Sequence, residues 1–270
     1  MAAQIKLGIV GAGGRMGRML VAEAQGQKDL RVVAGSEPAD SKLVGEDVGL
    51  LAGVGGLGVK IAGDSAAVFA ASDLVLDFTV AAASAGHAEL AARHGRALVL
   101  GTTGLDAAQA AVVRRAAERA PILWAANYSL GVNLLLSLVE DAARRLGEEF
   151  DIEVLEMHHR HKVDAPSGTA LALGEAAARG RGIDLAARSQ RVRDGVTGPR
   201  HSGDIGFATL RGGDVAGEHC VIFAGAGERI ELGHRATTRA IFARGALKAA
   251  RWLAGKPAGL YDMKDVLGLR

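Results

Sequence analysis

Short apolar runs rich in valine, isoleucine and leucine alternate with alanine-rich stretches through the first half of the chain, the pattern of a parallel sheet covered by helices. The runs predict strands from Ile5 to Val10, Leu30 to Gly35, Leu74 to Thr79, Ala97 to Gly101 and Ile122 to Ala126. Between them, Met16 to Gln25, Ala81 to His94 and Ala107 to Arg119 read as helices, the last stopped by Pro121 ahead of its strand. The stretch from Pro38 to Gly63 carries seven glycines and weak periodicity, and reads as irregular.

Beyond Asn127 the pattern changes. A helix from Leu130 to Leu146 and a strand from Asp151 to Met157 precede a loop crowded with histidines, and another helix begins near Ser167. Three strand-like runs follow, Ile205 to Leu210, His219 to Phe223 and Arg229 to Gly233, separated by glycine-containing turns that suit an antiparallel sheet. A last helix spans about Arg239 to Leu253. The fold class expected is therefore α/β, a Rossmann-like doubly wound parallel sheet followed by a second, α+β domain.

Composition narrows the function. Hydrophobic residues make up 49% and charged residues 23%, ordinary globular usage. Net charge is +2 with basic residues dispersed, so no clustered basic face for nucleic acid is visible. One cysteine, Cys220, cannot form an intrachain disulfide, which fits a reducing, cytoplasmic compartment; it reads as a buried strand residue. The opening MAAQIKLGIVGAGG runs into glycines too soon for a secretory leader, and no stretch approaches the ~20 apolar residues of a membrane span.

Gly11, Gly14 and Gly17 follow the first strand and open its helix, as a dinucleotide-binding turn requires: glycines let backbone approach a pyrophosphate, and free helix amides bind it. The spacing is a G-x-x-G-x-x-G variant of the usual fingerprint. Glu37 stands at the end of the second strand, twenty residues after Gly17, where a carboxylate accepts hydrogen bonds from a ribose diol. Further strand ends supply the same crevice, namely Phe78 and Thr79, Gly101 to Gly104, and Ala125 to Tyr128.

The densest polar stretch runs from His158 to Thr169. Strand geometry sends His158 and His159 to opposite faces, so both serve one site only if the strand ends there. Lys162 and a histidine are candidate proton donors, since a desolvated lysine is a better acid near neutrality. Ser167, Gly168 and Thr169 open a helix whose amides, hydroxyls and dipole suit a carboxylate. Three histidines within four residues also invite a metal, but no acidic or sulfur ligand follows at a familiar spacing, and none is expected.

Together GAGGRMG, DFT at Asp77 to Thr79, GTTG from Gly101, AANYSLGVN from Ala125, HHRHKVDAPSGTAL from His158 and GFATLRGGDVAGEH from Gly206 resemble the 4-hydroxy-tetrahydrodipicolinate reductase family almost end to end. The resemblance implies an NADH- or NADPH-dependent enzyme of lysine and diaminopimelate synthesis, a homotetramer, reducing a cyclic dicarboxylate. It implies a nucleotide domain of residues 1–127 joined by 239–270, and a substrate-binding and tetramerisation domain of 128–238. Carried over, Gly11, Ala12, Gly13, Gly14, Arg15, Met16, Glu37, Gly101, Thr102, Thr103, Ala125, Ala126, Asn127 and Tyr128 would contact the nucleotide. His159, Gly168 and Thr169 would bind substrate carboxylates, and His158 and Lys162 would be the proton donors. Two departures bear on cofactor choice: Pro38 where many members carry an arginine, and Val80 after DFT. The first domain alone would equally suit a reductase of another small amino dicarboxylate, against which the His-Lys segment speaks; a dinucleotide-sensing regulatory protein would bind NADH but lack a placed acid and a substrate pocket.

Overall fold

The computed structural model describes residues 4–269. Met1 to Ala3, where the leader reading starts, and Arg270, the end of the 239–270 segment, lie outside the described residues. The chain divides into two compact units, one running through Ser129 and regained at Ala240–Gly268, the other Leu130–Arg239.

In the first unit the strands are β1 (Ile5–Val10), β2 (Leu30–Ser36), β3 (Ile61–Ala62), β4 (Leu74–Asp77), β5 (Ala97–Leu100) and β6 (Pro121–Trp124). The intervening helices are α1 (Arg15–Gln25), α2 (Val48–Ala52), α3 (Ser65–Ala71), α4 (Ala81–His94) and α5 (Ala107–Ala117). The second unit contains α6 (Leu130–Leu146), β7 (Asp151–His158), α7 (Gly168–Arg181), α8 (Leu185–Arg188), β8 (Ser189–Gln190), β9 (Ile205–Arg211), β10 (Gly217–Gly225) and β11 (Glu228–Ala236). The chain then returns to the first unit with α9 (Ala240–Leu253), β12 (Gly259–Tyr261) and α10 (Met263–Leu267).

The first sheet is parallel throughout, in the order β12-β6-β5-β4-β1-β2-β3. Its order reverses between β1 and β4, which opens a crevice beyond their carboxyl ends. All four residues of β4 and of β5 are buried, because helices cover both faces; that is why these strands read as continuous apolar runs. In α1 the buried residues are Gly17, Leu20, Val21 and Ala24, the stripe of an amphipathic helix. Strands β4, β5 and β6 stop short of the expected ends, leaving Phe78 and Thr79, Gly101, and Ala125 and Ala126 in loops at the crevice. α5 likewise ends at Ala117.

The stretch from Pro38 to Gly63 is more ordered than its sequence suggests. The buried Asp47 carboxylate accepts from the amides of Gly49, Leu50, Leu57 and Gly58, capping α2 and closing the glycine-rich loop behind it. The segment then adds β3 to the sheet edge.

The second unit packs α6 and α7 on a five-stranded sheet ordered β11-β10-β7-β9-β8. The expected antiparallel sheet is in fact mixed: β10 pairs antiparallel with β7 and β11, whereas β9 runs parallel to β7. The cause is the connection. β9 follows β7 through α7 and α8, a crossover that returns the chain in the same direction. Along β7, Ile152, Val154, Glu156 and His158 are buried and the residues between are half-buried. Cys220, expected in the core, lies in the half-buried row of β10.

Candidate active site

The glycine turn sits between β1 and α1. Gly11 has φ +69°, which favours glycine, and a Cβ at Gly17 would collide with the Gly11 carbonyl oxygen. α1 starts without a side-chain cap at Gly14, leaving its first-turn amides, those of Arg15 and Met16 included, to face an anion. Glu37, just past β2, accepts the Gly13 amide at 2.7 Å. A cavity of about 460 Å³ at the crevice is walled by Gly11, Gly14, Glu37, Pro38, Phe78 and Thr79, among others. These features fit a dinucleotide.

Gly101 to Thr103 and Ala125 to Tyr128 leave the ends of β5 and β6 but are not walls of that cavity. Thr102 is buried, its hydroxyl taken by Ser84 at 2.8 Å. The Tyr128 side chain is core, its hydroxyl lying 2.9 Å from the Leu100 carbonyl and 3.1 Å from that of Leu123; burial raises its pKa well above the ordinary phenol value. Only backbone is left for Tyr128 to offer a ligand.

Beneath the crevice lies a polar chain that sequence reasoning missed. Asp77 is fully buried at the end of β4, bonded to His87 Nδ1 at 2.8 Å and to the Thr79 hydroxyl at 2.6 Å. His87 Nε2 reaches Ser65, which meets Ser36 at 3.2 Å. Burial pushes the Asp77 carboxyl up, but the bonds from His87 and Thr79 outweigh it and hold the group below the usual range.

In the second unit β7 ends at His158, the last residue of its buried row. His158 Nδ1 lies 2.5 Å from the buried Glu156. Glu156 also accepts Arg211 through both guanidinium nitrogens at 2.9 Å, and the Ser167 amide at 3.1 Å. Glu156 thus joins His158 to the start of α7, which Ser167 caps by accepting from the Ala170 amide. Gly168 and Thr169 form the first turn of that helix.

Burial pushes Glu156 up, but Arg211 and His158 more than reverse this and keep it an anion. For His158, burial lowers the pKa below its ordinary value; Glu156 opposes this, while Lys162 and Arg211 reinforce it. His219 lies edge-on to His158 with ring centroids 5.1 Å apart and bonds Ser167 through Nε2. Burial, with His158 alongside, pushes it down to about 4.

The Lys162 side chain is largely covered, and its amine lies 2.7 and 2.9 Å from the two carboxylate oxygens of Asp164. His159, Arg160 and His161 line a second cavity of about 670 Å³ with Gly213 and Asp214. Among the described residues no group of three or more His, Cys, Asp or Glu side chains is placed to hold a metal. Glu156, Arg211 and His219 escaped sequence reasoning, although HHR and GEH flag the neighbourhoods of the first and last.

Two family profiles account for the chain: "Dihydrodipicolinate reductase, N-terminus" over residues 5–128 and "Dihydrodipicolinate reductase, C-terminus" over residues 131–267. The 4-hydroxy-tetrahydrodipicolinate reductase of Brucella abortus (strain 2308) is 58% identical over 262 residues, covering 97% of this chain and 98% of its own. That of Rhodopseudomonas palustris (strain BisA53) is 55% identical over 265 residues, covering 98% and 97%. In fold the chain is similar to the dipicolinate-bound dihydrodipicolinate reductase of Paenisporosarcina sp. TG-14, with TM-score 0.76, 22% identity and coverage of 96% and 97%. With both halves matched and relatives this similar along nearly their whole length, the chain belongs to the dihydrodipicolinate reductase family, pyridine-nucleotide-dependent reductases of Rossmann-like fold.

Proposed function

We propose that this enzyme reduces 4-hydroxy-tetrahydrodipicolinate to tetrahydrodipicolinate in lysine and diaminopimelate synthesis. A nicotinamide held at the crevice would supply the hydride for an electron-poor ring carbon, and the substrate hydroxyl would leave as water. The observation that carries the reading is His158 joined through the buried Glu156 to the start of α7, in a chain whose curated relatives are named for this reaction.

The chain's own residues divide the work. Gly11 to Met16, Glu37, Gly101 to Thr103 and the backbone of Ala125 to Tyr128 hold the nucleotide, its pyrophosphate on the α1 amides. His159, Gly168 and Thr169 hold the substrate carboxylates, charge-assisted bonds that fix the ring for hydride delivery. His158 and Lys162 supply the proton that meets the charge developing on the ring.

NADH serves at least as well as NADPH in this reading. The crevice cavity has Glu37 and Pro38 in its wall and no lysine or arginine to pair with a 2′-phosphate. The working form is a cytoplasmic homotetramer built through the second unit, whose outward sheet face sets Leu155, Met157, Cys220 and Ile222 side by side on β7 and β10. No helix among the described residues is long and apolar enough to cross a membrane.

The deciding experiment follows nicotinamide absorbance with substrate generated freshly from pyruvate and aspartate semialdehyde. Oxidation of NADH that requires both enzyme and substrate is the expected outcome. Nucleotide binding without turnover, or turnover only on a different dicarboxylate, would overturn the proposal.

A further inference from the structure

We propose that Glu156 is a positioning residue that keeps a proton on His158 Nδ1, so that Nε2–H of the imidazolium is the bond broken when His158 acts as an acid. The inference rests on the reading of His158 as a proton donor.

Hydrogen-bond donors surround Glu156. Its two oxygens receive Arg211 Nη1 and Nη2 at 2.9 Å, the Ser167 amide at 3.1 Å and the Thr209 hydroxyl at 3.3 Å. Guanidinium and amide nitrogens can only donate, so a Glu156 surrounded by them is a carboxylate with no proton to give. His158 Nδ1, 2.5 Å from Oε2, must therefore be the donor of that bond. The neutral ring is the Nδ1–H tautomer, and the second proton, when present, is on Nε2.

Register makes the arrangement rigid. Thr209 is paired with Glu156 and Arg211 with His158 across the β7–β9 ladder, while His219 faces Glu156 from β10. The remaining charged neighbours of His158 are Lys162 and, paired to it, Asp164. Two cations and burial thus oppose the imidazolium, and Glu156 is the anion in direct contact that sustains it. On its other side, Nε2 lies beside Gly217, where a Cβ would come within 3.0 Å of it; glycine leaves that nitrogen room to meet a ligand.

In the proton step, Nε2–H breaks and its proton passes to the substrate while Nδ1–H stays bonded to Glu156. The ring becomes neutral, and a proton from water restores it. Removing the charge of Glu156 leaves His158 without its contacting anion while Arg211 stays beside it, so the pH at which His158 gives up its Nε2 proton must fall.

The test is imidazole nitrogen NMR on enzyme carrying ¹⁵N-histidine, with His158 assigned by the signals lost in His158→Gln. In the wild type the neutral His158 ring is expected to be protonated on Nδ1; an Nε2–H tautomer overturns the proposal without needing any Glu156 variant. In Glu156→Gln the His158 titration midpoint should fall by about one pH unit or more, with the alkaline limb of kcat/KM moving the same way. Turnover near neutrality should drop about tenfold or more. An unmoved midpoint in a folded Glu156→Gln enzyme overturns the proposal while the donor reading stands. Normal turnover by His158→Gln overturns both.

Discussion

The Gly13 amide donates to the Glu37 carboxylate at 2.7 Å, which ties the acid at the end of β2 to the turn at the end of β1. A carboxylate fixed there can accept from a ribose diol and repels a 2′-phosphate; Pro38, next in the chain, offers neither charge nor amide hydrogen to offset the repulsion. The expected outcome is a kcat/KM for NADH at least equal to that for NADPH, measured at matched ionic strength. A tenfold advantage for NADPH, about 1.4 kcal/mol, would contradict this account of Glu37 and Pro38.

His158→Gln and Lys162→Met should each fold and bind NADH yet lose about two or more orders of magnitude in turnover, the scale of a removed general acid. Cofactor binding by fluorescence and steady-state turnover check both halves of this statement. Because Lys162 is engaged by Asp164, the two variants need not lose equally. Near-normal turnover in both would remove them from the proton step.

Thr169→Val deletes one hydroxyl from the first turn of α7 and leaves the glycine turn of the other unit untouched. The Michaelis constant for substrate should therefore rise more than that for cofactor, by about fivefold to tenfold for one lost hydrogen bond. Equal losses for both ligands would show that this helix start serves the nucleotide.

How much of this was legible in the sequence depends on how far each signal is local. The central strands were, because strands covered on both faces are unbroken apolar runs, and the glycine turn was, because Gly17 answers a steric demand from the turn it follows. β3 and β12, two and three residues long, were not, since an edge strand this short leaves no periodicity to read. The direction of β9 depends on a partner more than forty residues earlier, reached through two helices, which no local turn signal reveals. Glu156 was hidden by its own row. In DIEVLEMH the apolar residues Ile152 and Val154 share the buried face with Glu156 and His158, while Leu155 and Met157 take the other. A glutamate there reads as solvent-facing until Arg211, distant in sequence, supplies the charge that lets it be buried.

The Asp77–His87 pair makes a prediction about stability that is separate from catalysis. Asp77 is wholly inaccessible and His87 nearly so, with 2.8 Å between Oδ2 and Nδ1. His87→Leu keeps most of the side-chain volume but strands a buried carboxylate, so unfolding in urea near neutral pH should show a loss of about 3 kcal/mol. The sign of the pH dependence follows from the carboxyl. In the native protein its pKa is held below the unfolded value of about 3.9, so its contribution is fully present above that pH and is lost as pH falls through the lowered native value. In the variant the bond that opposed burial is gone, the native pKa rises, and the carboxyl takes up a proton before the unfolded chain does. Acidification toward about 4 then relieves the variant while the wild type keeps its contribution, so the gap between them should narrow from neutral pH toward about 4. Paired urea titrations across that range read the gap directly, and a gap that stays constant or widens would mean that Asp77 is not held as an anion by His87.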